Sequence, residues 1–279
     1  MVYTINNIIE ELNNRGFNAQ TQVVTKNGVE LNAVVIKSEA SNIAPTIYVD
    51  EILVSINDGK ISFEDAISHM VTLYNGRKDV AFDESVLKDK EFILSNLFIA
   101  LQRKSNEELV KRECGFDGIE AYLYIRLDKF EDGIGTVKVN SKVFDVAEIS
   151  EAEAWERAEE NTFAETKIQP IFSAIGEMVE IGVPEDVLEN ESSGLYVMTN
   201  KSMYCGASAI LDKKALKKLA DKVHTNKFIM MPSSRHEVIV VPDTGNIELE
   251  DATELVNTVN SSEVEPIDQL ADKAYKFAI

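Results

Sequence analysis

A polar segment near the C-terminal end of the sequence carries the residue types most suited to chemistry. It reads, in order, Ser233, Ser234, Arg235, His236 and Glu237. Hydroxyls, an imidazole and a carboxylate can act as nucleophile, general base and orienting group in a hydrolase or a transferase. Adjacent residues of an extended segment point to opposite faces, however, so sequence proximity alone does not make a triad. The alternative interpretation is a turn whose serines bond to neighbouring backbone and whose histidine pairs locally.

Asn200 and Lys201 form a predicted turn that could come close to this segment. Together with Arg235 they are the candidate binding residues. Cys205, which precedes a glycine, is interpreted as a small buried hydrophobe rather than a thiolate nucleophile.

The sequence contains none of the common catalytic or nucleotide-binding motifs. HExxH, GxGxxG, the Walker A loop and GxSxG are absent, which removes the usual zinc protease, dinucleotide, NTPase and hydrolase interpretations. Cys114 and Cys205 lie far apart without CxxC spacing, so neither a zinc site nor a disulfide is indicated. We therefore predict no metal site and no cofactor.

The elements that must position the polar segment are predicted to form a ββαββ unit over 194–242. Leu195 to Thr199 is apolar enough for a strand, and Gly206 to Leu211 is predicted to be its antiparallel partner. A helix over 212–224 follows, with an apolar face and an opposite face of lysines that could bind an acidic partner or a phosphate. Strands over 228–231 and 238–241 then flank the polar segment.

The rest of the chain mixes helices with antiparallel hairpins, so we predict the α+β class. An Asn-Gly pair at 27–28 favours a tight hairpin between strands 19–26 and 29–37. We expect an N-terminal α+β lobe at 1–165, a helical connector at 166–190 and a C-terminal lobe with a terminal helix at 191–279. The other predicted elements are helices at 3–15, 50–57, 150–161 and 248–259, a helix starting at Ser62, a strand at 45–50, a helix then a strand across 83–103, and a hairpin of strands 119–127 and 136–139 with its turn at 133–135.

Several segments together carry a family resemblance. They read LYVMTNK at 195–201, YCGASAIL at 204–211 and FIMMPSSRHEVIVVPD at 228–243, with further similarity at 45–50, 158–162 and 256–260. The sequence resembles a large uncharacterised bacterial family, a domain of unknown function, found in gut-associated Gram-positive bacteria and often in their mobile elements. The resemblance implies a class of proteins and a cellular setting, but no activity, cofactor or substrate.

The net charge of the chain argues against binding to nucleic acid or to membranes. With 28 Lys and Arg against 48 Asp and Glu, the formal net charge is -20, which repels phosphate backbones and anionic lipids. We expect no direct binding of nucleic acid or membrane. The N-terminus has no basic region and carries Glu10 and Glu11 where a signal peptide would be apolar, so we expect a cytoplasmic protein.

Three hypotheses follow for the function. The first is a non-enzymatic interaction or accessory protein, in the setting of a mobile element, that binds a protein partner through its acidic surface. The second is a hydrolase or transferase whose site lies at the Ser233 to Glu237 connection. The third is a mimic of nucleic acid that competes with DNA for a basic enzyme.

Overall fold

The strands and helices of the chain fall into two units. The computed structural model describes residues 2–37, 46–77, 83–130, 133–178 and 194–279. Contacts group Met1–Glu84 into a first unit and Ser85–Ile279 into a second. Within the described ranges the strands form three antiparallel sheets beside helices, which confirms the α+β class.

The first unit packs helices on one antiparallel sheet. The turn at Asn27 and Gly28, with φ of 50° and 78°, joins the first two strands, which confirms the predicted hairpin. The third strand covers part of the predicted 45–50, of which residue 45 lies outside the described residues. The elements are α1 (Ile5–Asn14), β1 (Asn18–Lys26), β2 (Val29–Lys37), β3 (Thr46–Tyr48), α2 (Asp50–Asn57) and α3 (Phe63–Arg77), with strand order β1-β2-β3.

The second unit begins with a sheet that buries many apolar side chains in the largest hydrophobic core cluster of the described residues. Residues such as Ile99, Leu101 and Leu123 of this sheet are at most 1% exposed. A helix followed by a strand across 83–103 confirms the prediction, whereas Gly133 belongs to a strand rather than to the predicted turn. The elements are a 3₁₀ helix (Glu84–Lys88), α4 (Lys90–Ser95), β4 (Leu97–Arg103), β5 (Lys111–Glu113), β6 (Ile119–Phe130), β7 (Gly133–Lys138), α5 (Ser141–Ala147) and α6 (Glu151–Ala164).

A mixed run of strands and helices completes the second unit. Its strands form an antiparallel sheet of order β12-β10-β11-β9-β8. The strands are β8 (Thr166–Pro170), β9 (Tyr196–Asn200), β10 (Lys227–Met231), β11 (Val238–Pro242) and β12 (Tyr275–Ala278), and the helices are α7 (Ile171–Met178), a 3₁₀ helix (Gly206–Leu211), α8 (Lys213–Val223) and α9 (Leu249–Ser262).

The predicted second strand of the ββαββ unit is wrong, because Gly206–Leu211 forms a 3₁₀ helix. Its first five residues are all buried, so they lack the one-sided burial of a typical antiparallel strand. A Cβ on Gly206 would lie 2.4 Å from Thr199 Oγ1 and 2.6 Å from the His236 carbonyl oxygen. The small residues therefore let the chain turn close against β9. Strand β9 pairs instead with β8 and β11.

The connector predicted at 166–190 is helical only in part. Thr166–Pro170 forms strand β8, because its backbone pairs with β9, and Ile171–Met178 is helical as predicted. Residues 179–190 lie outside the described residues. The division into lobes at 1–165 and 191–279 stays a prediction.

Candidate functional site

The connection at 232–237 closes on itself between β10 and β11. The Ser234 hydroxyl donates to Glu237 Oε1 at 2.9 Å and accepts from the backbone N–H of His236 at 3.0 Å. The Ser234 N–H also donates to the Glu237 carbonyl at 3.1 Å. Ser233, beside them, is half-buried. Ser234 and Glu237 thus hold the turn, and the Ser234 hydroxyl is bonded to the backbone of His236 rather than to its imidazole.

Both ring nitrogens of His236 have partners. Nδ1 accepts from the backbone N–H of Cys205 at 3.2 Å, and Nε2 lies 3.3 Å from Asp268 Oδ1. A nitrogen that accepts a hydrogen bond carries no proton, so the assigned tautomer has its proton on Nε2, towards Asp268. The imidazole therefore ties the segment at 205 to the segment at 268.

Arg235 makes a parallel set of ties between the same segments. Its backbone N–H donates to the Asp268 carbonyl at 2.8 Å, and its Nε lies 3.3 Å from Asp268 Oδ1. Its Nη2 donates to the Tyr204 hydroxyl at 3.3 Å and lies 3.7 Å from Cys205 Sγ. We call Tyr204, Cys205, Arg235, His236 and Asp268 the elbow network.

The backbone of the elbow network is strained at Cys205, whose φ is 52°. Asn200 shapes this turn, because its side chain accepts from the Tyr204 N–H at 3.2 Å and donates to the Tyr204 carbonyl at 2.8 Å. A left-handed residue of this kind costs energy and often marks a functional site. Lys201, by contrast, is exposed and contributes its backbone N–H to the Glu165 carbonyl at 3.1 Å.

The Cys205 thiol is placed for packing. It is 2% exposed and lies in a cluster with Phe98, Tyr122 and Tyr124 of the neighbouring sheet. Burial raises the pKa of the Cys205 thiol, and the nearby Arg235 guanidinium offsets only part of that rise. The thiol is neutral near pH 7, which is the state of a structural cysteine rather than of a nucleophile.

The structure thus brings together four of the residues predicted from the sequence: Ser234, Arg235, His236 and Glu237. Asn200 is connected to them through its hydrogen bonds to the backbone of Tyr204. Asp268 and Tyr204 complete the network and were missed by sequence reasoning. Asp268 lies in a segment without regular periodicity, and no local signal marks it as the partner of His236. Both ring nitrogens of His236 are engaged within the network, so a reaction at His236 would first require one of them to be released. Arg235 Nε, although 3.3 Å from Asp268 Oδ1, is buried without a hydrogen-bond partner.

A second polar region lies along helix α9, where an open groove of about 670 Å³ runs beside the start of β12. The Thr253 hydroxyl accepts from the Ala274 N–H at 3.1 Å and fixes the two walls together. The groove is lined by Leu249, Glu250, Thr253, Glu254, Asn257, Thr258, Ser261, Lys273 and Ala274. We call it the α9 groove.

The charges of the α9 groove are unbalanced. Glu250 and Glu254 are exposed, lie one helical turn apart and form no ion pair with a cation of the described residues. Lys273 also lines the groove, but its Nζ lies 2.6 Å from Asp117 Oδ2. The groove therefore presents two carboxylates to solvent, and its lysine is committed to another carboxylate.

Neither a metal-binding cluster nor a membrane-spanning helix is found among the described residues. No cluster of three or more His, Cys, Asp or Glu side chains able to hold a metal ion occurs in the described part of the chain. Among those same residues, no helix has the length and apolar character required to cross a bilayer.

Comparison with known proteins gives a family but no activity. No curated protein and no solved structure matches the chain. The model of a family of unknown function, DUF5688, matches residues 2–278. The chain therefore belongs to the DUF5688 family.

Proposed function

We propose that this chain is a non-enzymatic binding protein that takes a basic segment of a partner protein into the α9 groove. The observation that carries the proposal is the pair Glu250 and Glu254, which line the groove and form no ion pair within the described residues, while Lys273 in the same lining is paired with Asp117. Like charges at i and i+4 destabilise a helix by a few tenths of a kcal/mol. A bound cationic segment relieves the repulsion between the two carboxylates, and this contributes to its binding free energy.

The remaining lining residues fit a polypeptide. Leu249 and Ala274 offer apolar contact, and the exposed Asn257 offers an amide that can donate and accept. An arginine side chain suits this surface, because its planar guanidinium can bond a carboxylate through two N–H groups while its stem packs on apolar atoms. The net charge of -20 adds long-range attraction for such a partner.

The proposal includes a setting, the cytoplasm of a bacterium, where the chain acts as an accessory protein of a mobile genetic element. It is supported by the resemblance of the segments at 195–201, 204–211 and 228–243 to such bacterial proteins. Free Cys114 and Cys205 suit a reducing compartment.

Binding of a short labelled peptide in which arginine alternates with alanine tests the proposal. Glu250→Gln with Glu254→Gln should weaken binding about tenfold, because two carboxylates leave the groove. The matched control is Glu108→Gln with Glu156→Gln, which removes the same charge from exposed positions outside the groove. The control should weaken binding less than about twofold. Equal losses in the two variants would reduce the effect to net charge and contradict the proposal.

A hydrolase or transferase at the 232–237 connection is the second candidate. The pairing of His236 with Asp268 favours it, because a carboxylate beside an imidazole is the base-orienting half of a catalytic triad. The test is turnover on a panel of esters, amides and phosphoesters by the wild type and by His236→Ala. Loss of turnover with unchanged unfolding free energy supports this candidate, and loss of stability instead rejects it.

A further inference from the structure

A second groove has the opposite charge from the α9 groove. It lies between helix α8, the edge strand β8 and its neighbour β9, and its volume is about 300 Å³. It is lined by Thr166, Ile168, Pro170, Tyr196, Ala215, Lys218, Leu219 and Lys222. We call it the α8 groove, and its size is that of a small-molecule site rather than of a folded partner.

Two lysines give the α8 groove its charge. Lys218 and Lys222 are exposed, lie one helical turn apart and form no ion pair with a carboxylate of the described residues. Lys222 Nζ lies 5.5 Å from the centre of the Tyr196 ring, over its face. The mutual repulsion of two lysines one helical turn apart is relieved by a bound dianion.

The rest of the lining is largely apolar, and it contains an unsatisfied hydroxyl. Ile168, Pro170 and Leu219 supply apolar surface. The hydroxyl oxygen of Thr166 is buried without a hydrogen-bond partner, and no other side-chain oxygen in the described part of the chain shares that state. A buried hydroxyl without a partner is unfavourable, and a ligand oxygen reached by rotation of this side chain would satisfy it.

We propose that the α8 groove binds a small organic phosphate. The phosphate lies between Lys218 and Lys222, and the organic part packs against Ile168, Pro170 and the Tyr196 ring. Lysine is a common phosphate ligand that acts as a point charge, and two lysines match the two charges of a phosphate monoester. This site is independent of the α9 groove, since each has its own lining and its own sign of charge.

Calorimetric titration with phenyl phosphate tests the proposal, with inorganic phosphate, phenol and benzoate as comparison ligands. Phenyl phosphate should bind at least about tenfold more tightly than each of the others, because it alone engages both lysines and the apolar wall. Benzoate binding as tightly as phenyl phosphate would overturn the assignment of a phosphate. Failure of phenyl phosphate to bind at ~10 mM would overturn the site altogether.

Paired variants on the same helix locate the binding. Lys218→Gln with Lys222→Gln should weaken phenyl phosphate binding about tenfold, since both charged contacts are lost. Lys213→Gln with Lys217→Gln is the control, because these exposed lysines have the same spacing on α8 but do not line the groove. It should change the affinity less than about twofold.

A third variant keeps the charge and fills the space. Ala215→Leu places a larger side chain in the groove and should abolish binding, while circular dichroism confirms that α8 is intact. Equal losses in the two lysine pairs, or unchanged binding to Ala215→Leu, would overturn the proposal. Saturation of the lysines by polyglutamate but not by phenyl phosphate would also overturn it, in favour of an acidic polypeptide.

Discussion

The elbow network and the α9 groove, both in the second unit, hold their polar groups in opposite ways. In the elbow network, His236 is engaged on both ring nitrogens and Arg235 contacts Tyr204, Cys205 and Asp268. In the α9 groove, Glu250 and Glu254 are exposed and form no ion pair within the described residues. A buried group that loses its partner costs stability, whereas an exposed group without a partner remains available for binding.

This difference separates a structural role from a binding role. The polar segment at 232–237 has the residue types of a catalytic site. Its hydrogen bonds, however, connect it to β9, to the start of the 3₁₀ helix at 206–211 and to the segment at 268. The α9 groove contains no recognisable motif, but its Glu250 and Glu254 form no ion pair within the described part of the chain. Substitutions in the elbow network should therefore change stability, and substitutions in the α9 groove should change binding.

The largest expected effect is that of Gly206→Ala, at the position directly after Cys205 of the elbow network. The added Cβ would lie 2.4 Å from Thr199 Oγ1 and 2.7 Å from the Asn200 backbone nitrogen, so backbone must move. We expect the unfolding free energy to fall by about 3 kcal/mol or more. Urea unfolding followed by the fluorescence of Trp155, the only tryptophan of the chain, measures it in the second unit.

Gly245→Ala is the control for this substitution. Gly245 has a φ of 79° but nothing within 4 Å of an added Cβ, so it tests backbone strain without a steric clash. We expect a loss of about 1 kcal/mol. If Gly206→Ala lowers the unfolding free energy no more than Gly245→Ala does, the tight packing of Gly206 against β9 is contradicted.

His236→Ala should have the next largest effect. It removes the acceptor of the Cys205 N–H and the ring that meets Asp268. We expect a loss of about 1 to 3 kcal/mol in unfolding free energy, because buried polar groups lose their partners. Lys201→Ala, at an exposed side chain nearby, should cost less than about 0.5 kcal/mol. Unchanged stability of His236→Ala would remove the structural interpretation of the network.

Glu120 lies in neither region, but it is a buried carboxylate with several partners, so pH tests whether such a group contributes to stability. Burial raises the pKa of Glu120, but hydrogen bonds from Gln102 at 2.9 Å, Lys111 at 3.2 Å and Ser105 at 3.1 Å outweigh burial, so its pKa lies below the ordinary value. A depressed folded-state pKa contributes stability above the unfolded-state pKa, about 4.3 for Glu, and this contribution is lost as pH falls through the folded-state pKa.

Urea unfolding of the wild type and Glu120→Gln, measured from neutral to acidic pH, checks this sign. The difference in stability between the two proteins should be largest near pH 7 and should shrink as pH falls below about 4. A difference that is independent of pH would show that Glu120 contributes through packing and not through its charge.

The smallest expected effect on stability belongs to the α9 groove. Glu250→Gln with Glu254→Gln removes a like-charge pair but also removes a favourable carboxylate from the first turn of α9. The two terms oppose each other, so the unfolding free energy should change by less than about 0.5 kcal/mol. A loss several times larger, measured by urea unfolding, would show that these carboxylates stabilise the fold. It would contradict a separate binding role for the α9 groove.

Local patterns in the sequence predicted the elements that have a local cause. Asn27 and Gly28 specify a hairpin by their left-handed backbone, and Asp212 caps α8 by accepting from the N–H groups of Lys214 and Ala215. The 3₁₀ helix at 206–211 was missed because its conformation depends on the contact of Gly206 with β9, which the sequence pattern does not show. Strand β8 was missed for the same reason, since pairing with β9 defines it.

The candidate site was predictable only in part. The residue types of the 232–237 connection identify it as a candidate site. The carboxylate beside His236 belongs to Asp268, and no periodicity or motif in the sequence connects these two residues. The net charge predicted an acidic surface without locating it. Only the three-dimensional arrangement shows that Glu250 and Glu254 line a groove, because the groove is formed by α9 together with residues 273–274.

The central claim, that the α9 groove binds a basic segment, is tested most directly by mapping where such a segment binds. The measurement is a titration of the isotopically labelled protein with the arginine-alanine peptide, followed through backbone amide chemical shifts. The largest changes should occur at residues 249–261 and 273–274, which form the α9 groove and its neighbourhood. Changes centred on another acidic surface, such as α6, or spread over exposed carboxylates without a centre, would contradict it.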